Sequence, residues 1–123
     1  ALPLPVSAPF HCALMRPAAD AMEHALAAVA FEAPSVPVVV NVTARPTSDP
    51  AAIKAHLVEQ VTGMVRWTES IQWLAGEGGV TEFYELGAGK VLTGLAKRIA
   101  PDAAASAVGT PADIEAALAA LSA

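Results

Sequence analysis

A histidine at the start of a predicted helix is the residue best placed to do chemistry in this sequence. His11 lies in VSAPFHCALMRPAAD, residues 6–20, where a proline-containing extended segment gives way to a helical pattern. Strand-to-helix junctions are where α/β folds gather functional side chains, so His11 is a candidate general base. Histidines also occur at helix starts for purely structural reasons. Position alone leaves both interpretations open.

The neighbouring Cys12 suggests a thiol–imidazole pair, and therefore a self-contained Cys/His hydrolase as one alternative. Adjacent helical residues do not face each other, so we expect Cys12 to be a buried free thiol instead. His24 and His56 have polar neighbours and are predicted to lie at the surface. Three widely spaced histidines and one cysteine offer no metal-ligand spacing, so we expect no metal site.

The segment LGAGK, residues 86–90, follows a predicted strand and precedes a predicted helix. A turn of this kind can bind phosphate through backbone N–H groups. The full phosphate-loop pattern would require glycine at position 84 and Ser or Thr at position 91, but Tyr84 and Val91 stand there. We expect the glycines to serve a tight strand-to-helix turn.

Composition excludes several classes of function. The net charge is -5 and the seven Lys and Arg residues are scattered, which argues against a nucleic-acid partner. Hydrophobic residues make up 54% of the 123, but no apolar run approaches the roughly 20 residues of a membrane span. A single cysteine suits a reducing compartment. We expect no membrane partner and a cytoplasmic location, and the missing initiator Met indicates a piece of a longer protein.

Predicted helices alternate with strand-like segments. Helices are expected from about residues 14 to 30, after Asp49-Pro50, after a capping Thr68, after GAGK, and after a capping box at Thr110–Asp113. On the second helix, Ile53, Leu57, Val61 and Met64 are expected on the inner side. Strands are expected at residues 36–42, 80–86 and 105–108, the first typical of a buried parallel sheet. The pattern predicts an α/β fold that is incomplete, because two or three covered strands are too few to stand alone.

Four motifs together resemble one enzyme family, the malonyl-CoA:acyl-carrier-protein transacylases, which load malonyl units for fatty-acid and polyketide synthesis. The motifs are LPVSAPFHCALM (4–15), PVVVNVTA (37–44), AIKAHLVEQVTGMVRWTESI (52–71) and YELGAGKVLTGLAKRI (84–99). They follow the family's order over essentially the whole chain.

The resemblance implies a particular division of the chain. Family members combine a large α/β-hydrolase-like subdomain, built on a parallel sheet, with a small ferredoxin-like one. Residues 1–10 would be the closing strand of the ferredoxin-like subdomain. Residues 11–123 would be the C-terminal part of the large acyltransferase subdomain.

The resemblance also implies site residues. His11 would be the general base that deprotonates a serine nucleophile, and the main-chain carbonyl of Gln60 would orient His11. Asn41 matches a polar position near the cleft and is interpreted as substrate-binding, without an assigned role. The chain contains no Gly-x-Ser-x-Gly motif and no arginine in the family's carboxylate-binding motif. The serine is therefore expected in an upstream part of the enzyme, and this chain alone is expected to be inactive.

The function implied is transfer of a malonyl group from malonyl-CoA to the phosphopantetheine thiol of acyl carrier protein, through an acyl-serine intermediate in a ping-pong sequence. Expected partners are acyl carrier protein, malonyl-CoA or CoA, and the upstream part that carries the serine. No cofactor is expected. The alternative is a non-catalytic α/β interaction module, such as a truncated partner subunit.

Overall fold

The computed structural model describes residues 8–122 of the chain. They form two compact units, the first ending at Ser70 and the second beginning at Ile71, with the boundary inside a helix. Most of the predicted closing strand, residues 1–7, lies outside the described residues, and residues 8–10 contain no strand. The mixed α/β class is confirmed. Among residues 8–122, no helix combines the length and the apolar character needed to cross a membrane.

The first unit is mainly helical. A 3₁₀ turn, Ala13–Met15, leads into α1, Arg16–Ala27, and α1 packs against α2, Pro50–Glu59. Between these helices, β1 (Val38–Val39) pairs antiparallel with β2 (Pro46–Thr47) across a turn. Helix α2 begins at a clear signal, because the Asp49 carboxylate accepts hydrogen bonds from the backbone N–H groups of Ala51 and Ala52.

Helix α3, Trp67–Ala75, crosses the boundary into the second unit, which is built on a β-α-β arrangement. Strand β3, Glu82–Leu86, runs parallel to β4, Ala104–Val108, with Glu82 opposite Ala104 and Leu86 opposite Val108. Helix α4, Val91–Ile99, connects them, and α5, Pro111–Leu121, follows β4. The second unit buries mainly small or branched side chains: Ile71, Ala96, Ala100, Ala105 and Val108.

Predictions that rest on local signals are confirmed. The Asp49 cap with Pro50 at the first helical position begins α2, and the Thr110–Asp113 capping box begins α5. Residues 82–86 and 104–108 are the predicted second and third strands.

Predictions that depended on surroundings are wrong in three places. Residues 36–42 form only the two-residue β1, whose partner is antiparallel, and Val36 is 68% exposed. The reason is that a turn returns the chain at once to Pro46–Thr47, and this neighbouring segment pairs antiparallel with β1. Helix α2 ends at Glu59, which leaves Met64 beyond the helix and 70% exposed. Thr68 lies within the first turn of α3 rather than capping it.

Candidate active site

His11 adopts an unusual backbone conformation just before α1. Its φ is 57°, in the left-handed region that non-glycine residues seldom occupy. Strained residues of this kind persist only where the surrounding structure holds them, and they cluster at functional sites. His11 is exposed in the described part of the chain.

The imidazole of His11 meets the end of α2, 49 residues further along the chain. Its Nδ1 lies 3.0 Å from the main-chain carbonyl oxygen of Gln60, the C-cap residue of that helix. Carbonyls in the last turn of a helix have no partner within the helix, so this one is free to accept a hydrogen bond. A carbonyl oxygen only accepts, so Nδ1 carries the proton in this contact and Nε2 is the nitrogen able to take one.

The Gln60 carbonyl lies at the C-terminal end of α2. The C-terminal end of a helix carries partial negative charge, which favours a nearby cation. An imidazole that accepts a proton during a reaction becomes such a cation. The contact with the Gln60 carbonyl therefore fixes the tautomer of His11, with Nδ1 protonated and Nε2 as acceptor.

Asn41, the third predicted site residue, reaches the same glutamine. Its side-chain Nδ2 donates to Gln60 Oε1 at 3.3 Å, in a partly buried position. The main-chain oxygen of Asn41 accepts a hydrogen bond from the backbone N–H of Arg66 at 2.9 Å. The structure thus brings His11, Gln60 and Asn41 together, with Gln60 in the middle.

Arg66 supports this group and was missed by the sequence reasoning. Its guanidinium donates from Nη1 to the Thr43 carbonyl at 3.0 Å, and from Nε and Nη2 to the Glu69 carboxylate. The hydrogen bonds between Arg66 and Glu69 hold the pKa of Glu69 below its ordinary value and raise the pKa of Arg66. The available signal was the i, i+3 spacing of Arg66 and Glu69 at the start of a helix. Arg66 anchors the turn that carries Asn41.

Comparisons with known proteins identify the family. No family model matches the chain. The malonyl CoA-acyl carrier protein transacylase of Salmonella typhimurium is 53% identical over 118 residues, which are 96% of this chain and 38% of that protein. The solved acyl-carrier-protein S-malonyltransferase of Bartonella henselae is 56% identical with a TM-score of 0.88, over 98% of this chain and 38% of that one.

A third match is a malonyl-transacylase solved in complex with a type II polyketide synthase acyl-carrier protein. It is 44% identical with a TM-score of 0.86, over 97% of this chain and 38% of that one. This chain belongs to the malonyl-CoA:acyl-carrier-protein transacylase family. It matches the C-terminal portion of the family and spans about 38% of the length of these relatives.

The neighbouring thiol of Cys12 makes a hydrogen bond within its own turn. Cys12 is half-buried and its thiol donates to the Pro9 carbonyl at 3.1 Å, which differs from the expected full burial because the residue lies in an exposed turn. The ring of His11 is instead directed to Gln60.

His24 is exposed as predicted, whereas His56 is partly buried and its Nδ1 lies 3.1 Å from Glu59 Oε2. Among residues 8–122, no group of three or more His, Cys, Asp or Glu side chains is arranged to hold a metal ion.

At the GAGK turn, the Glu85 carboxylate occupies the position at the start of α4 where an anion could bind. Gly87 and Gly89 have φ values of 130° and 100°, as a tight strand-to-helix turn requires. The Glu85 carboxylate accepts from the N–H groups of Leu92 and Thr93 at 3.1 and 2.7 Å, and from the Thr93 hydroxyl at 2.6 Å. The Thr93 hydroxyl and N–H bonds lower the pKa of Glu85. A phosphate at the start of α4 would have to displace this carboxylate.

Proposed function

We propose that this chain is the base-carrying part of a cytoplasmic transacylase that moves malonyl groups from malonyl-CoA to the phosphopantetheine thiol of acyl carrier protein. The observation that carries the proposal is the 3.0 Å contact between His11 Nδ1 and the Gln60 carbonyl. It occurs in a chain that shares 53% identity with a malonyl CoA-acyl carrier protein transacylase. His11 acts as general base and Gln60 orients it.

The reaction has two halves that use the same nitrogen. His11 Nε2 takes the proton of a serine hydroxyl as the serine oxygen attacks the malonyl thioester carbonyl. The thioester C–S bond then breaks, and the departing CoA sulfur takes the proton from the imidazolium. In the second half, Nε2 takes the proton of the phosphopantetheine thiol, the sulfur attacks the acyl-serine, and the serine oxygen recovers the proton as the ester bond breaks.

The serine and the malonyl-binding arginine belong, in this proposal, to an upstream part of the enzyme. That part also supplies the remaining strands of an α/β-hydrolase-like subdomain and most of a ferredoxin-like one, closed by residues 1–10. The exposure of Val36 and of Met64 is consistent with such covering elements. The reaction as written needs no metal or redox cofactor, because every step is a proton transfer or an acyl transfer.

The test is His11→Ala in the full-length protein, with radiolabelled malonyl-CoA and a rapid-quench measurement of the acyl-enzyme burst. A positioned general base typically contributes about 10² to 10⁴ in rate, so the burst rate should fall by that factor. His24→Ala is the matched control, because His24 is an exposed histidine on α1. An unchanged burst in His11→Ala would reject His11 as the base.

The same labelled protein locates the nucleophile. Proteolysis of the acyl-enzyme and mass analysis should place the malonyl group on a serine outside residues 1–123. Label on Cys12 would instead support the Cys/His hydrolase. Absence of any acyl-enzyme, with acyl carrier protein still bound, would support the interaction module.

A further inference from the structure

The side chain of Asn41 donates a hydrogen bond to the side chain of Gln60. This contact favours a role in positioning Gln60 over a role in binding substrate. We infer that Asn41 is a positioning residue that holds Gln60, and through Gln60 fixes the orientation of His11. The inference rests on the proposed role of His11 as base. It replaces the interpretation of Asn41 as a substrate-binding residue.

Gln60 makes two contacts with different parts of itself. Its main-chain oxygen meets His11 Nδ1 at 3.0 Å, and its side-chain Oε1 accepts from Asn41 Nδ2 at 3.3 Å. Gln60 is the C-cap of α2, and helix ends fray because their last carbonyls lack helical partners. A second hydrogen bond to the same residue limits that motion, so it also limits the motion of the carbonyl that holds His11.

Asn41 is itself held firmly enough to serve as a brace. Its carbonyl accepts from Arg66 N–H at 2.9 Å, and the Arg66 guanidinium holds Thr43 two residues further on. The turn is closed by the Ala44 N–H bond to the Val40 carbonyl at 2.9 Å, and both Ala44 and Val40 are buried. A continuous series of hydrogen bonds therefore runs from Arg66 through Asn41 and Gln60 to His11.

The chemistry of the contact makes a specific prediction about substitutions. Asn41 supplies an N–H donor to an acceptor oxygen of Gln60. Alanine removes that donor. Aspartate cannot donate, but the Gln60 amide can rotate and donate its own N–H to the carboxylate, which restores the brace. An aspartate facing the negatively charged malonyl group of a bound substrate would instead repel it.

The experiment measures kcat and KM for malonyl transfer by the full-length protein carrying Asn41→Ala, Gln60→Ala, both changes, or Asn41→Asp. Gln60→Ala keeps the main-chain carbonyl and removes only the acceptor of Asn41. Misplacement of a reacting group by about 1 Å can cost up to roughly 100-fold. We therefore expect each single alanine variant to lower kcat by about 10- to 100-fold with KM unchanged, and the double variant to be no worse than either single one.

Thr62→Ala is the matched control, because its hydroxyl donates to the Glu59 carbonyl in the same turn and makes no hydrogen bond to His11, Gln60 or Asn41 within residues 8–122. Asn41→Asp should keep most of the kcat and the KM of the unmodified protein. A raised KM in Asn41→Ala or Asn41→Asp, or kcat losses that multiply in the double variant, would overturn the inference.

A spectroscopic measurement separates this inference from the proposed function. In protein labelled with ¹⁵N-histidine, long-range ¹H–¹⁵N correlation spectra report which ring nitrogen of His11 carries the proton. We expect Nδ1–H in the unmodified protein and a mixture of tautomers in Asn41→Ala. If His11→Ala leaves transfer intact, the proposed function fails whatever the spectra show. If His11→Ala abolishes transfer but Asn41→Ala changes neither kcat nor the tautomer, only the inference about Asn41 fails.

Discussion

Replacing glycine by alanine at two positions of the second unit should change stability in opposite directions. Gly94 lies inside α4, and a Cβ built there meets nothing within 4 Å. Gly109 follows β4, and a Cβ there would lie 2.7 Å from the Gly87 carbonyl oxygen. The same added methyl group therefore fills open space at one position and collides with backbone at the other.

The magnitudes follow from these surroundings. In an exposed or half-exposed helix interior, alanine is favoured over glycine by about 1 kcal/mol, so Gly94→Ala should raise the free energy of unfolding by about that amount. At Gly109, the contact must open from 2.7 Å to the 3.4 Å of ordinary van der Waals contact. The Gly87 carbonyl belongs to the main chain at the start of the GAGK turn. The N–H of Gly87 also donates a hydrogen bond to the Val108 carbonyl, which limits how far Gly87 can move away. Overpacking of this kind costs about 1 to 3 kcal/mol.

Urea unfolding of the full-length protein, followed by tryptophan fluorescence, measures both variants against the unmodified protein. We expect the midpoint to rise for Gly94→Ala and to fall for Gly109→Ala. If the slopes are unchanged, the unfolding free energies of the two variants should differ by at least roughly 2 kcal/mol. Equal shifts, or a stabilising Gly109→Ala, would refute the argument from close approach to the Gly87 carbonyl.

Two further predictions concern Glu85 and Cys12. The folded-state pKa of Glu85 is lowered by the Thr93 hydroxyl and N–H bonds. Its contribution to stability is therefore fully present above the ordinary glutamate pKa of about 4.3 and is lost as pH falls through the lower folded value. Glu85→Gln should flatten the acid side of a plot of unfolding free energy against pH, and an unchanged slope would contradict this. Cys12→Ser should retain malonyl transfer, because a hydroxyl can also donate to Pro9, and a loss of acylation would contradict a serine nucleophile elsewhere.

The fold was predictable where a few neighbouring residues determine it. Asp49-Pro50 and Thr110–Asp113 satisfy the first N–H groups of their own helices, so no distant partner is needed. The apolar run at residues 36–42 gives no such local information. Its pairing depends on which strand lies beside it, and in the described chain that strand is the adjacent Pro46–Thr47.

The site was predictable only in part, for a related reason. The resemblance to a family paired His11 with Gln60, whereas neither composition nor spacing could relate residues 49 positions apart. The links from Asn41 to Gln60 and from Arg66 to Asn41 depend on side-chain direction within turns. Glu85 was likewise not predicted as the acceptor for Thr93, because it reaches across the glycine turn from the preceding strand.

The two initial interpretations of His11 predict different surroundings for its ring. A histidine that only starts a helix would cap it or lie in an ordinary backbone region. Here the cap position belongs to Cys12, which makes no side-chain cap, and His11 has a φ of 57°. Its ring hydrogen-bonds the Gln60 carbonyl at the end of another helix, and the Gln60 side chain accepts a hydrogen bond from Asn41. Backbone strain of about 1 to 3 kcal/mol at an exposed residue gives a helix start no benefit. The strain is explained by the proposed function, in which this backbone conformation orients Nε2 for proton transfer. The His11→Ala variant tests that role, and the tautomer spectra test which ring nitrogen carries the proton.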